Sequence, residues 1–432
     1  MSSGKKLAKF GLIYTLAGGL QKGLGFVVFM YLAAILSVQE YANFGIYYAV
    51  FAAVSTISFA GLTESVVSLL GTNREKEDRR KLYQVAGTVF LLLSLAGGVI
   101  VFLFQAIGYI GYYNGLLDIF IIIVSAIISS YYLFQSILVR FDEAHIESIT
   151  LSFIPAVSGY LIGFATAYYY QTSIAFFLGS LGGFVLSAAL YKIKLISFVG
   201  FSFDQLRIKA MLVRLAPFSL IALIAWFLGY GNTFVIDYLF DDIEVARYVF
   251  LYTIASIIQL IASSMNQVWA PRFYNDYPEK EITILEKEYD RFTMLQGLVV
   301  GVAGVVLIFL IPYAAYFDES LGKYTDADQE LFYLFLGYLV AIPWWHSQNY
   351  FFINNEGKSL LKITISSGVV GFLVWLGCMK FIGTGGIYLG FFCNMLVRSL
   401  MIFLIARKKW KIGTDYKGVL IGATILALIY LF

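Results

Sequence analysis

From Leu215 to Tyr274 the chain reads LAPFSLIALIAWFLGYGNTFVIDYLFDDIEVARYVFLYTIASIIQLIASSMNQVWAPRFY. Two apolar segments are joined by a short acidic turn, Asp241-Asp242-Ile243-Glu244. Each segment exceeds the roughly 20 apolar residues that carry a helix across a bilayer. The first is entered through Arg214 and Pro217, and the second is left through Pro271 and Arg272. This predicts a transmembrane helical hairpin, basic at its open end and acidic at its tip.

The rest of the chain repeats the unit. Apolar runs occupy about 9–36, 41–70, 82–108, 115–139, 146–170, 173–192, 211–240, 245–271, 291–317, 329–353, 359–381 and 385–406. A last run, 418–432, is short for a crossing and reads as an interfacial or extra C-terminal helix. Backbone groups in hydrocarbon must bond within their own segment, and the runs are too long for barrel strands, so the spans are helices. Composition agrees: 60% of the 432 residues are hydrophobic and 13% charged, against about 25% charged in a soluble domain. The expected fold is an all-α polytopic membrane protein with twelve transmembrane helices in two pseudo-symmetric six-helix lobes. The expected bounds are 1–195 for the first lobe, 196–210 for a cytoplasmic linker, 211–410 for the second lobe, and 411–432 for a basic segment with a short apolar helix.

Charge placement sets the orientation. Alternate connections, beginning with Lys5, Lys6 and Lys9, hold 25 of the 30 Lys and Arg residues. The opposite connections hold Arg247, Lys323 and Lys380, and only Lys22 and Arg398 lie inside spans. By the positive-inside rule the basic side, with the N-terminus, is cytoplasmic. The apolar run after the basic N-terminus is too long for a signal peptide and is expected to be retained as the first span.

An internal repeat supports two lobes. Ser37–Ala53 laid over Asp241–Ile257 matches Glu40 with Glu244, Ala42 with Ala246, Phe44 with Tyr248 and Tyr48 with Tyr252, at an offset of 204 residues. Six spans separate the copies, which keeps the same orientation and suits a parallel repeat.

Charge at mid-membrane costs at least about 2.5–3.5 kcal/mol on insertion scales, so intramembrane ions are functional candidates. Lys22 lies in AGGLQKGLGF, amid Gly18, Gly19, Gly23 and Gly25. It is roughly 20 Å along its helix, too deep to snorkel to the interface. It either binds substrate or pairs with Glu64 of AGLTESVV. Arg398, in NMLVRSLMIF, reads as cavity-lining, and Arg272, after Pro271, as a substrate contact or an interfacial anchor. Glu64, Asp237 and His346 are the candidates for ion coupling or charge pairing. His346 in IPWWHSQNYFF titrates in a relay under one reading and is a hydrogen-bonded interhelical histidine under the other. Asn266, Gln267, Gln348 and Asn349 suit sugar hydroxyls, although interhelical bonding is their commoner role. Five of the six prolines (Pro155, Pro217, Pro271, Pro312 and Pro343) fall in or at the ends of spans, as in transporters with broken helices.

Enzymes are the weaker class. There is no P-loop, HExxH, Ser/His/Asp set or Cys/His cluster, and the outer connections are short. Cys378 and Cys393 lie in apolar segments and suggest neither a disulfide nor a metal site. No cofactor is expected, with H⁺ or Na⁺ coupling left open. Nucleic acid is not an expected partner.

Several stretches resemble a family. AAILSVQEYANFGIYYAVFAAVSTISFAGL resembles the first two spans of polysaccharide transporters, and RLAPFSLIALIAWFLGYGNTFVIDYLF their seventh. SSMNQVWAPRFYN, YLVAIPWWHSQNYFFINNEGKSLLKIT and IGTGGIYLGFFCNMLVRSLM resemble the eighth, tenth and twelfth. The match is to Wzx-type flippases of the MOP exporter superfamily, related to the lipid II flippase and more distantly to MATE exporters. It implies two six-helix lobes with alternating access, in a monomer of the bacterial inner membrane. The implied substrate is undecaprenyl-pyrophosphate-linked oligosaccharide, moved to the outer leaflet for O-antigen, capsule or exopolysaccharide assembly. The implied partners are that lipid-linked sugar, membrane lipids, and polymerase and chain-length proteins of the same pathway. It also implies that Lys22 and Arg272 hold the pyrophosphate, with Arg398 added for its depth. Val28, where a further basic residue is expected, and the lack of two full C-terminal helices argue against lipid II. The rivals are a drug or sugar exporter of the MATE or major-facilitator type and a membrane glycosyltransferase or polymerase.

Overall fold

The computed structural model describes the chain except residues 1–2, 60, 71–75, 107–114, 143, 191–199, 278–279, 314–315, 317, 355, 411–415 and 429–432. Within helices some side chains also fall outside the described set, including those of residues 3–16, Glu64 and Gln267. All regular structure among the described residues is helical. The chain divides into two compact units, Met1–Ala246 and Arg247–Phe432.

Unit 1 contains α1 (Ser3–Ile35), α2 (Val38–Phe59), α3 (Leu62–Leu70), α4 (Lys76–Ala106), α5 (Leu116–Phe141), α6 (His145–Tyr170), α7 (Ser173–Leu190), α8 (Gln205–Phe227), α9 (Asn232–Leu239) and the first residues of α10 (Asp242–Asp276). Unit 2 contains the rest of α10, α11 (Ile282–Leu310), α12 (Asp328–Val340), α13 (Ile342–Ile353), α14 (Gly357–Ile382), α15 (Gly385–Trp410) and α16 (Lys417–Ala427). Short turns of helix at Ile311–Tyr313, Glu319–Leu321 and Gly322–Thr325 link α11 to α12.

Ten helical segments among the described residues are long and apolar enough to span a bilayer. The other two expected spans take different forms. The run 173–192 is the 18-residue α7, and the run 329–353 is divided into α12 and α13. Pro343 supplies the physical reason for that division. It stands in the first turn of α13, where its missing N–H is no loss, whereas mid-helix it would leave a carbonyl unbonded.

Two more runs are broken. The run 41–70 becomes α2 and α3 around Gly61, which has φ 77°. A Cβ there would lie 2.7 Å from the Leu215 carbonyl oxygen of α8, so both the left-handed backbone and the close helix require glycine. The run 211–240 becomes α8 and α9, with a turn from Leu228 to Gly231. Elsewhere proline sits inside a helix that continues: Pro155 in α6 and Pro217 in α8.

The repeat is visible in the helix boundaries. α1 ends at Ile35 and α9 at Leu239; α2 begins at Val38 and α10 at Asp242. Both pairs keep the 204-residue offset. The aligned ring pairs keep it too: Phe44 stacks on Tyr48 at 6.0 Å between centroids, and Tyr248 on Tyr252 at 5.4 Å.

The segment expected to be a linker is partly tied down. Thr88 Oγ1 of α4 donates to the Ser202 carbonyl at 2.9 Å, and Ser202 N donates back to Thr88 Oγ1 at 3.0 Å. Asp204 then caps α8, accepting from Leu206 N and Arg207 N at 3.1 Å each. From there α8 packs on α2, α3 and α4, and Trp226 Nε1 donates to the Ala49 carbonyl at 3.0 Å. These interactions are why α8 and α9 belong to the first compact unit.

Small residues set the tightest pairs. In α6 and α7, Ser180 Oγ donates to the Gly159 carbonyl at 3.0 Å and Thr166 Oγ1 to the Ala175 carbonyl at 2.8 Å. The C-terminal α16 lies along α11 with Gly418 and Gly422 facing Gly297 and Gly301, the small-residue packing that membrane helices use to bring backbones together.

Candidate functional site

In unit 1, Lys22 lies on α1 with its side chain exposed. Its glycine neighbours divide into two kinds. Among the described residues, a Cβ added to Gly18, Gly19 or Gly23 would meet nothing within 4 Å, so none of them covers that side of the helix. At Gly25 an added Cβ would stand 3.0 Å from Tyr160 Cζ and hydroxyl oxygen. Residues three apart share a helix face, so Lys22 rises beside the place where Tyr160 meets α1.

Behind it is an aromatic cluster. Phe29 meets Tyr48 at 4.9 Å and Tyr160 at 6.0 Å, both edge-to-face, and Tyr48 meets Tyr230 edge-to-face at 5.3 Å. A cavity of about 70 Å³ is lined by Gln21, Tyr48, Phe51, Ser129, Tyr160 and Ser180, among others. An exposed ammonium beside hydroxyls and ring faces can hold an anion and polar, ring-shaped groups together. The three tyrosines are site residues that the sequence reading missed. Tyr48 was legible as a repeat match to Tyr252, but nothing in the sequence joins it to Tyr160 or Tyr230.

The expected pairing of Lys22 with Glu64 falls on a side chain outside the described residues. Asp237 is half-buried near the end of α9. Arg140 and Arg214 are exposed, as anchors at a water interface would be.

In unit 2, Arg398 is 3% exposed. Its guanidinium lies over the Trp344 ring at 3.9 Å, and its Nε and Nη2 are buried with no hydrogen-bond partner among the described residues. A desolvated cation–π contact contributes about 2 kcal/mol. An uncompensated buried charge costs about 3–5 kcal/mol, so Trp344 alone does not offset the burial. Asn394, one turn earlier on α15, is fully buried, and neither of its amide atoms has a partner among the described residues.

His346 is 2% exposed and its Nε2 lies 2.8 Å from Gln296 Oε1. Gln296 Nε2 in turn donates to the Ala262 carbonyl at 2.7 Å. Trp269, Tyr289 and Phe292 surround the ring at 6.3, 5.0 and 5.9 Å. These contacts tie α13 to α11 and, through Gln296, to α10.

Arg272 is 57% exposed and anchored, with Nη2 2.8 Å from Glu288 Oε2 and Nε 3.5 Å from Asp276 Oδ2. Lys280 Nζ joins the cluster at 2.8 Å from Asp276 Oδ2 and 3.1 Å from Glu288 Oε1. The hydrogen bond from Lys280, with Arg272 adding to it, holds the Asp276 carboxyl below the usual carboxylate range. A phosphate at Arg272 would compete with these carboxylates.

The neutral polar residues form a small network. Asn349 Nδ2 donates to Asn266 Oδ1 at 3.3 Å, and Tyr274 hydroxyl donates to Asn349 Oδ1 at 3.1 Å. Gln348 is half-buried on the same helix as Asn349, and the Gln267 side chain lies outside the described residues. Cys378 and Cys393 are free thiols.

Superposed on the lipid II flippase MurJ in an inward closed conformation, the chain gives a TM-score of 0.71 at 15% identity, over 97% of this chain and 92% of that one. An inward-facing multidrug resistance MATE family transporter of the MOP superfamily gives 0.67 at 16% identity, over 90% and 94%. The MATE multidrug transporter DinF-BH gives 0.60 at 14% identity, over 94% and 95%. At these identities the likeness is one of fold. No curated protein matches the chain in sequence. The family model for polysaccharide biosynthesis proteins matches residues 7–275, more than half of the sequence. The chain is a multi-pass membrane protein with a MurJ- and MATE-like fold, and it belongs to the polysaccharide biosynthesis protein family.

Proposed function

We propose that this protein is a flippase, not an enzyme, and that it moves an undecaprenyl-pyrophosphate-linked oligosaccharide from the cytoplasmic to the outer leaflet of a bacterial inner membrane. The observation that carries the reading is Lys22, an exposed ammonium deep in a span, flanked by open glycine surface and by the cluster of Tyr48, Tyr160 and Tyr230. A pyrophosphate cannot cross hydrocarbon unaided. Lys22 neutralises it, while ring faces and hydroxyls hold the first sugars and the polyprenyl tail stays in lipid. Aromatic faces suit the apolar sides of sugar rings, and hydroxyl and amide groups suit their edges.

The direction has a physical basis. An anion moving outward across an inside-negative membrane gains about 2.3 kcal/mol per charge per 100 mV. Lys22 then has to bind the head group firmly enough to admit it and loosely enough to release it, which favours an exposed, flexible lysine over a rigid guanidinium clamp. Arg272, already engaged by Glu288 and Asp276, has a secondary part in this reading, at the end where the substrate enters.

The test is complementation. Lys22→Ala and Lys22→Arg would be expressed in a strain lacking its own flippase, with surface glycan as the readout. The alanine variant, present in the membrane at wild-type level, should lose display while the arginine variant keeps part of it. Full display by Lys22→Ala would end the charge role. Export of a cationic drug with no effect on glycan display would favour the exporter reading instead.

A further inference from the structure

Arginine keeps its proton at physiological pH, so Arg398 places a full positive charge in the interior of unit 2, 3% exposed. Trp344 covers one face of the guanidinium plane. Hydrogen bonds form at the edge of that plane, and there Nε and Nη2 stand without partners among the described residues. Asn394 is four residues earlier on α15, on the same face, with its amide also unpartnered among them. Several other buried polar side chains of unit 2 find partners: His346 Nε2 meets Gln296, Gln296 the Ala262 carbonyl, and Asn349 meets Asn266. Thr364 Oγ1 and His346 Nδ1, also left open among the described residues, carry no fixed charge. The edge of Arg398 is therefore a place where donors and charge are left open together.

We infer that Arg398 and Asn394 form a binding site for a small monatomic anion of the chloride class, held at the guanidinium edge with Trp344 as its floor. Size limits the occupant. Each of the open atoms is sealed from solvent, so a pyrophosphate bearing a lipid and a glycan does not reach them in this conformation. Charge limits it further. A water molecule would satisfy the donors but leave the cation uncompensated, and burying a charge is tolerated when it is both paired and hydrogen-bonded. A halide does both. The site thus reassigns Arg398 from the substrate's head group to an ion that belongs to unit 2. The inference stands independently of the flippase reading, because its readout is binding rather than transport.

The experiment uses the purified full-length protein in lipid nanodiscs. Thermal unfolding is followed in sodium chloride, sodium bromide and sodium gluconate at equal ionic strength. A ligand that binds only the folded state raises the midpoint, so wild type should melt a few degrees higher in either halide than in gluconate. Arg398→Met should remove the difference, and Asn394→Ala should shrink it. Crystals grown in bromide should show an anomalous peak within hydrogen-bond distance of the guanidinium. Equal melting in all three salts, the result expected if water alone fills the site, would overturn the inference. So would a halide effect that survives Arg398→Met, or a bromide peak elsewhere with none at Arg398. If Arg398→Met does not fold, the bromide peak and Asn394→Ala decide the matter.

Discussion

Lys22 and Arg398 are the two basic residues placed inside spans, and the protein treats them in opposite ways. Lys22 is exposed, on a helix face that glycines leave bare. Arg398 is enclosed, stacked on Trp344 and surrounded by the packed helices of unit 2. Depth in a span is thus a poor guide to what a charge does. The deciding quantity is what surrounds it: an open surface makes a charge available to a visiting anion, whereas a closed one demands a resident partner.

The largest effect should come from Lys22. A charged hydrogen bond contributes about 1.5–3 kcal/mol, so Lys22→Ala should slow transport by roughly 10- to 100-fold. Its melting temperature should stay close to wild type, because exposed substitutions usually change stability by less than about 0.5 kcal/mol. A stable variant with normal transport would remove one side of the comparison. Arg398→Ala should do the reverse in part. It loses the stack on Trp344, about 2 kcal/mol, and leaves a cavity, so the unfolding midpoint in chloride should fall clearly below wild type. An unchanged midpoint would mean the enclosure of Arg398 carries no weight.

A third substitution sharpens the contrast at another buried group. His346→Phe leaves the Gln296 carbonyl oxygen without its partner, a cost of about 1–3 kcal/mol. Stability should drop by that order, and the pH profile of transport should keep its shape. A flattened profile in a stable variant would bring His346 back as a coupling residue. The smallest effect concerns the exposed cluster at the end of α10. The Asp276 carboxyl is held low by Lys280 and Arg272. Its stabilising contribution is therefore complete above the ordinary aspartate value, near 3.9, and is lost as pH falls through its lower folded value. Acid unfolding followed below about pH 4 should be less steep in Asp276→Asn than in wild type, and high salt should narrow the difference.

Most of the architecture was legible in the sequence, because hydrocarbon imposes one rule on every span. The run lengths follow from that rule, the placement of lysine and arginine sets the orientation, and the 204-residue repeat reappears in the matched ends of α1 and α9 and starts of α2 and α10. Where spans break was harder to read. Pro343 marks the start of α13 as proline should, but Gly61 breaks its span because α8 passes against it, which is a tertiary fact. The site divides in the same way. Lys22 and Arg398 were found by their cost in a membrane, but their difference in exposure comes from packing. Tyr160 against Gly25 and Trp344 against Arg398 join residues more than fifty positions apart, and no local pattern announces such pairs.

Whether Lys22 carries a pyrophosphate head across the membrane is decided by a flipping assay in sealed proteoliposomes. A polyprenyl-pyrophosphate-linked oligosaccharide is placed in the bilayer, and its transfer between leaflets is timed by accessibility to a membrane-impermeant reagent. Wild type should transfer it rapidly, Lys22→Ala should slow the transfer roughly tenfold or more with an unchanged melting temperature, and Lys22→Arg should recover part of the rate. Equal transfer rates for wild type and a folded Lys22→Ala protein would contradict that role of Lys22.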